Sequence, residues 1–132
     1  MHITKSIGDV AELRVAAKYI DKGFTVSRPL TDHAPYDLLI DDGIKISRVQ
    51  IKARSSRDDK ISVELYTSSA NNYNRNYSIN DFDIIAVYNI DSGEIAALTW
   101  KDIQDCKKAV VLRLNKPIKE YKNIRYFSSY LI

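Results

Sequence analysis

Apolar positions in this chain recur at helical spacing near the start and in strand-like runs thereafter. Ile7, Val10, Leu13, Ala17 and Ile20 fall three or four residues apart. This predicts an amphipathic helix over residues 5–22 with those five as its core stripe. Thr4 or Ser6 can cap its start and Gly23 can end it. Arg14, Lys18 and Lys22 fall on the far side. Glu12 does not: at about 100° per residue it projects between Ala16 and Tyr19, on the inward side. An inward carboxylate needs a partner, because an unpaired buried charge is costly. A metal or Lys52 could supply one, or Glu12 reaches solvent at the boundary.

Residues 24–28 read as a first strand, and residues 29–35 as a loop framed by Pro29 and Pro35. Two apolar runs follow, 36–40 and 44–51, separated by Asp41-Asp42-Gly43. Asp-Gly between such runs predicts a hairpin, since Gly accepts the positive φ of a tight turn. Side chains alternate across a strand. Ile44, Ile46, Arg48, Gln50, Lys52 and Arg54 therefore share one face, and Ser47, Val49, Ile51 and Ala53 the other. Strand pairing brings Asp37 near Gln50 and Lys52.

Further strands are predicted over 60–66, with Ile61, Val63 and Leu65 on one face, and over 83–89, 94–100 and 109–114. The 83–89 and 94–100 pair is apolar enough for burial on both faces. Residues 67–80 are expected to form a polar loop, with or without one helical turn, 101–107 a short helix capped by Thr99, and 121–132 stay open between strand and helix. Asp83 either orients Arg75 or a site lysine, or simply ends a loop. The fold class is α/β, a mixed central sheet flanked by helices, with the first helix packed on one face. A chain of 132 residues suits one domain, 1–132.

Composition narrows the partners. The single cysteine, Cys106, excludes an internal disulfide and a Cys-cluster zinc site. No apolar run reaches membrane-spanning length, and the first residues lack the apolar segment of a signal peptide, so the expected location is cytoplasmic with no membrane partner. A net charge of +3 does not identify a nucleic-acid partner, but its distribution is informative. Residues 107–125 hold seven basic side chains and one acid. Lys116 and Lys119 lie there, on a surface that either attracts phosphates or is simply solvated. Tyr73, Arg75 and Tyr77 interleave aromatic and basic groups, which suits stacking on bases and bonding to phosphates. The alternative is a connection whose tyrosines pack onto the sheet.

The hairpin carries the candidate chemistry. Asp37 can hold a hard cation, with the Gln50 amide oxygen and the Ile51 backbone carbonyl as further oxygen ligands. The Lys52 ammonium can orient a water or offset charge on a reacting phosphate. The competing reading is an ordinary amphipathic hairpin with a polar outer face. Glu12 on the first helix, Pro35-Tyr36-Asp37 at one strand and Gln50-Ile51-Lys52 on the next resemble the PD-(D/E)XK nuclease superfamily. The likeness is to the branch with intron-encoded homing endonucleases, and archaeal-type Holliday junction resolvases are similar in fold. The resemblance implies that Asp37 binds metal, that Lys52 is catalytic and that Glu12 assists metal binding. Gln50 stands where most members have Asp or Glu, which removes one negative charge from the site.

The resemblance further implies a Mg2+-dependent DNA endonuclease, with Mn2+ able to substitute. One small domain has one active site, so cutting both strands at one visit favours a homodimer or a higher homo-oligomer. Arg54, Tyr73, Arg75, Tyr77, Lys116 and Lys119 are the expected DNA contacts. The alternative is a nuclease-fold DNA-binding protein that does not cut.

Overall fold

In the computed structural model, which describes residues 3–68, 74–116 and 123–132, the helix α1 spans Ile3–Asp21. It ends in Gly23, whose φ of 96° is a left-handed conformation that glycine adopts without a Cβ penalty. Its inward face differs from the expected one. Ala11, Val15 and Tyr19 are buried, whereas Leu13 is 63% and Ile20 58% exposed and Val10 and Ala17 also face outward. Two apolar stripes compete on this helix. The sheet takes the one with small residues, since Ala11 and Val15 let the backbones approach closely. Tyr19 completes the packing against the edge of Phe24, 5.3 Å between ring centres.

The strands are β1 (Thr25–Ser27), β2 (Leu38–Asp41), β3 (Ile46–Arg54), β4 (Lys60–Glu64), β5 (Tyr66–Ser68), β6 (Asn74–Asn76), β7 (Ile84–Asn89), β8 (Ile95–Thr99), β9 (Ala109–Arg113) and β10 (Arg125–Tyr126). The central sheet runs β1-β2-β3-β7-β8 and is mixed: β3 and β7 pair in parallel, the other neighbours antiparallel. The hairpin between β2 and β3 forms as expected. Gly43 takes a φ of 94°, and the Asp42 carboxylate accepts the backbone N–H groups of Ile44 and Lys45.

Alternation on the sheet feeds two cores. Leu38, Ile40, Val49, Ala86 and Tyr88 pack under α1. Ile85, Val87, Ala96 and Leu98 face the other way, onto Ile61, Val63, Val110 and Leu112. Those last four belong to a second sheet, β10-β9-β4. The mixed α/β sheet with α1 on one face is the expected architecture. The layer on its other face is this three-stranded sheet.

Three local expectations change. Tyr66–Ser68 and Asn74–Asn76 pair as a two-stranded ribbon, β5-β6, where a plain loop is expected. Residues 100–105 form turns, not a helix, and Asp102 accepts the Thr99 N–H and hydroxyl, so the cap is reciprocal to the one expected. The final segment is β10 followed by a 3-10 turn at Phe127–Tyr130. No helix among the described residues is long and apolar enough to cross a membrane.

Candidate active site

Asp37 immediately precedes β2 and is tied to β3 at two points. Its N–H donates to the Val49 carbonyl at 2.8 Å, and its Oδ2 accepts the Ile51 N–H at 2.7 Å. Leu38 pairs with Val49 under α1. Strand alternation therefore turns Asp37 toward the face that carries Gln50 and Lys52. Burial pushes the Asp37 carboxyl above the ordinary carboxylate range, while the Ile51 amide and the Lys52 charge pull it partly back. A carboxylate kept partly from water beside a lysine is the type of group that functional sites collect.

Gln50 and Lys52 pair with Ile85 and Val87 of β7. The Gln50 Nε2 lies 3.5 Å from the Ile51 carbonyl oxygen. A half-turn of that amide puts its oxygen on the same side as the carbonyl. Lys52 Nζ sits 5.3 Å from the centre of the Tyr77 ring, within cation–π range. Tyr77 itself meets Phe82 edge-on at 5.2 Å, and Phe82 stacks on Trp100 at 4.8 Å. The lysine thus rests on an aromatic stack rooted in the second core.

Glu12 reaches the same end of the sheet from α1. A cavity of about 360 Å³ is lined by Glu12, Arg28, Tyr36 and Asp37 together with the loop after β1. The Glu12 carboxylate is held by the Arg28 guanidinium at 2.6 Å. The partner that its inward phase demands is therefore Arg28, not Lys52. Arg28 went unnoticed in the sequence because a lone arginine at the end of a short strand carries no motif.

The expected nucleic-acid contacts are scattered among several roles. Arg54 bonds Glu64 at 2.6 Å and the Ala53 carbonyl at 2.7 Å, and this pairing holds the Glu64 carboxyl below its usual range. Arg75 is more than half exposed and grips Asp81 with both terminal nitrogens, at 3.1 and 3.2 Å. Burial works against ionisation of Asp81, yet Arg75 and the Ser78 N–H keep its carboxyl below the ordinary range. Tyr77 packs against the second core rather than standing in solvent. Lys116 is exposed just beyond β9. Tyr73 and Lys119 lie outside the described residues.

Asp83 serves neither Arg75 nor a site lysine. It accepts the Arg48 backbone N–H and two guanidinium N–H groups, and the same guanidinium donates to the carbonyls of Ile79 and Asn80. Arg48 shares a strand face with Gln50 and Lys52, so this lock ties Ile79, Asn80 and Asp83 to the strand that carries the candidate site.

The profile of a family described as PD-(D/E)XK endonuclease matches residues 2–132. The chain belongs to the PD-(D/E)XK endonuclease family. Membership makes it a nuclease by family, with DNA as the implied substrate and divalent metals as the cofactors such nucleases generally use. A curated relative, Protein 5.3 of Escherichia phage T7, is 27% identical over 118 residues, which covers 89% of this chain and 96% of that protein. The solved structure of a bacterial homing endonuclease, I-Ssp6803I, superposes with a TM-score of 0.77 at 22% identity, over 98% of this chain and 89% of that one. That likeness establishes a restriction-endonuclease-like fold.

The residues present fit a hard cation through oxygen rather than through a carboxylate cluster. Among the described residues no group of three or more His, Cys, Asp or Glu could hold a metal. The available donors are the Asp37 carboxylate, the Ile51 carbonyl and the Gln50 amide oxygen, all oxygen types that Mg2+ accepts. With one full negative charge among them, these donors would hold a divalent cation with modest affinity.

Proposed function

We propose that this chain is a Mg2+-dependent DNA endonuclease that hydrolyses phosphodiester bonds, with Mn2+ able to replace Mg2+. The observation that carries the reading is the anchoring of Asp37 on the Ile51 N–H, with Gln50 and Lys52 on the same strand face. Asp37, Gln50 and the Ile51 carbonyl would hold the metal, with Glu12 assisting. A bound divalent cation supplies a more acidic water and screens the phosphate charge. Lys52 offsets the charge that builds up on the reacting phosphate and orients the attacking water. Tyr77 helps hold that ammonium, because a cation over a ring face is attracted to it by about 0.5–1 kcal/mol at an exposed site.

The substrate class is double-stranded or branched DNA, of the homing-endonuclease or Holliday-junction type. The fold shared with a homing endonuclease supports the first of these. The chain forms one domain with one site, so double-strand cleavage is performed by a homodimer acting in the cytoplasm of the producing cell. Arg75, Lys116 and Lys119 contribute phosphate contacts.

One observation favours a second reading. Gln50 in place of an acid, together with Glu12 engaged by Arg28, leaves a weakly charged metal site. That is also what a DNA-binding protein of this fold without cleavage would carry. A screen of supercoiled, linear, nicked and four-way DNA with Mg2+, Mn2+ or chelator separates the two. Metal-dependent nicking supports the endonuclease. Binding to every substrate with no cleavage in either metal supports the binder.

A further inference from the structure

We propose that Arg28 is a DNA-phosphate ligand that, without DNA, occupies Glu12, so that substrate binding releases Glu12 toward the metal. The inference rests on the reading of this site as a metal-dependent DNA nuclease. Three observations carry it. Arg28 closes on Glu12 at 2.6 Å, and both line the cavity that Asp37 also lines. The arginine side chain is 63% exposed and the glutamate 26%. The guanidinium thus stands open to an incoming anion while the carboxylate is held inside. Finally, Arg28 directly follows β1 and precedes Pro29, which restricts the backbone on either side and keeps the guanidinium at the cavity mouth.

The Arg28 guanidinium supplies the positive charge that faces the Glu12 carboxylate. It neutralises Glu12 and prevents that carboxylate from joining Asp37. A guanidinium has five N–H donors and suits phosphate as well as carboxylate. When a phosphate of the DNA backbone takes Arg28, Glu12 regains a free carboxylate in the cavity that Asp37 also lines. The site then gains a second negative charge at the moment the substrate arrives. Linkage requires the reverse as well: occupancy of the metal site by a cation draws on Glu12 and frees Arg28 for DNA. The arrangement also compensates for Gln50, because the charge absent from β3 is supplied by α1 only in the loaded state.

The test uses Mn2+ as the probe, with bound and free ion distinguished by electron paramagnetic resonance, and DNA binding in chelator as a second readout. In DNA-free protein, Arg28→Met should bind Mn2+ more tightly than the parent, by about two- to fivefold, the range expected for a partly exposed ion pair. In chelator the same variant should bind DNA more weakly, with a salt dependence shallower by roughly one phosphate contact. Glu12→Gln should do the opposite to DNA and bind it more tightly than the parent in chelator, since Arg28 is no longer occupied.

Circular dichroism confirms that each variant folds. Unchanged or weaker Mn2+ binding in Arg28→Met, or weaker DNA binding in Glu12→Gln, overturns the proposal. Asp37→Asn keeps the two failures apart. If it abolishes Mn2+ binding while Arg28→Met changes nothing, the partner exchange is wrong and the metal site stands. If Asp37→Asn leaves Mn2+ binding intact, the metal site itself is wrong and the exchange falls with it.

Discussion

Replacing Asp83 with alanine should loosen the support of the site from a distance. Asp83 accepts three hydrogen bonds from Arg48: the backbone N–H at 2.8 Å, Nε at 3.1 Å and Nη2 at 3.1 Å. The two side chains are 29% and 32% exposed. Fully exposed ion pairs contribute about 0–1 kcal/mol, and breaking a buried one costs about 3–5 kcal/mol. A pair about one-third exposed with three bonds falls between, so Asp83→Ala should cost about 2–3 kcal/mol, or a Tm lower by roughly 10 °C in a chain of this size.

The pH dependence has a definite sign. Bonding to Arg48 holds the Asp83 carboxyl below its ordinary value in the folded protein. Its contribution is complete above the unfolded carboxylate range and is lost as pH falls through the lower folded value. The deficit of Asp83→Ala should therefore be largest near neutrality and shrink in acid. Urea unfolding of the parent, Asp83→Ala, Arg48→Met and the double variant, repeated from neutral to acidic pH, measures both the cost and the coupling. A neutral-pH cost below about 0.5 kcal/mol, the size of an ordinary surface change, would refute the lock.

Tyr77→Phe keeps the ring under Lys52 and should retain near-parental cleavage, whereas Tyr77→Ala should lower the single-turnover rate at unchanged metal affinity; equal losses in both would show that the ring face is not what matters. Val15→Ala, in the buried stripe of α1, should cost about 1–3 kcal/mol by denaturant unfolding. Leu13→Gln, on the outward stripe, should stay within about 0.5 kcal/mol. Asp37 is the opposite case to Asp83, since burial raises its carboxyl in the fold. Such a group destabilises the metal-free fold at neutral pH, and the penalty fades as pH falls through the raised value toward the unfolded one. Asp37→Asn should therefore be more stable than the metal-free parent at pH 7, and this gain should disappear in acid.

The parts of the fold legible in the sequence are those where one local signal had no rival. Asp42-Gly43 between two apolar runs admitted one turn, and the register that follows puts Asp37 beside Ile51 and Lys52. On α1 two apolar stripes were available, Val10-Leu13-Ala17-Ile20 and Ala11-Val15-Tyr19. Periodicity cannot choose between them, because the choice depends on how closely the sheet approaches. Glu12 was correctly read as inward, but its partner was not, since Arg28 arrives by tertiary packing across a sheet edge. The same holds for Asp81 and Asp83. Two acids and two arginines, Arg48 and Arg75, allow two pairings, and only the path of residues 74–83 assigns them. The β5-β6 ribbon was hidden by a composition rich in Asn and Ser, which propensity assigns to loops.

Single-turnover cleavage of a defined DNA substrate by Lys52→Ala, beside a binding titration at one fixed salt concentration, tests the central claim most directly. The metal donors Asp37, Gln50 and the Ile51 carbonyl are all intact in this variant, so Mg2+ should still bind. DNA affinity should fall only slightly, because one cation among several is removed. The cleavage step should slow by roughly a hundredfold or more, the usual cost of deleting a preorganised charge stabiliser. Cleavage at the parental rate would make Lys52 an ordinary surface lysine resting on Tyr77 and would contradict the mechanism.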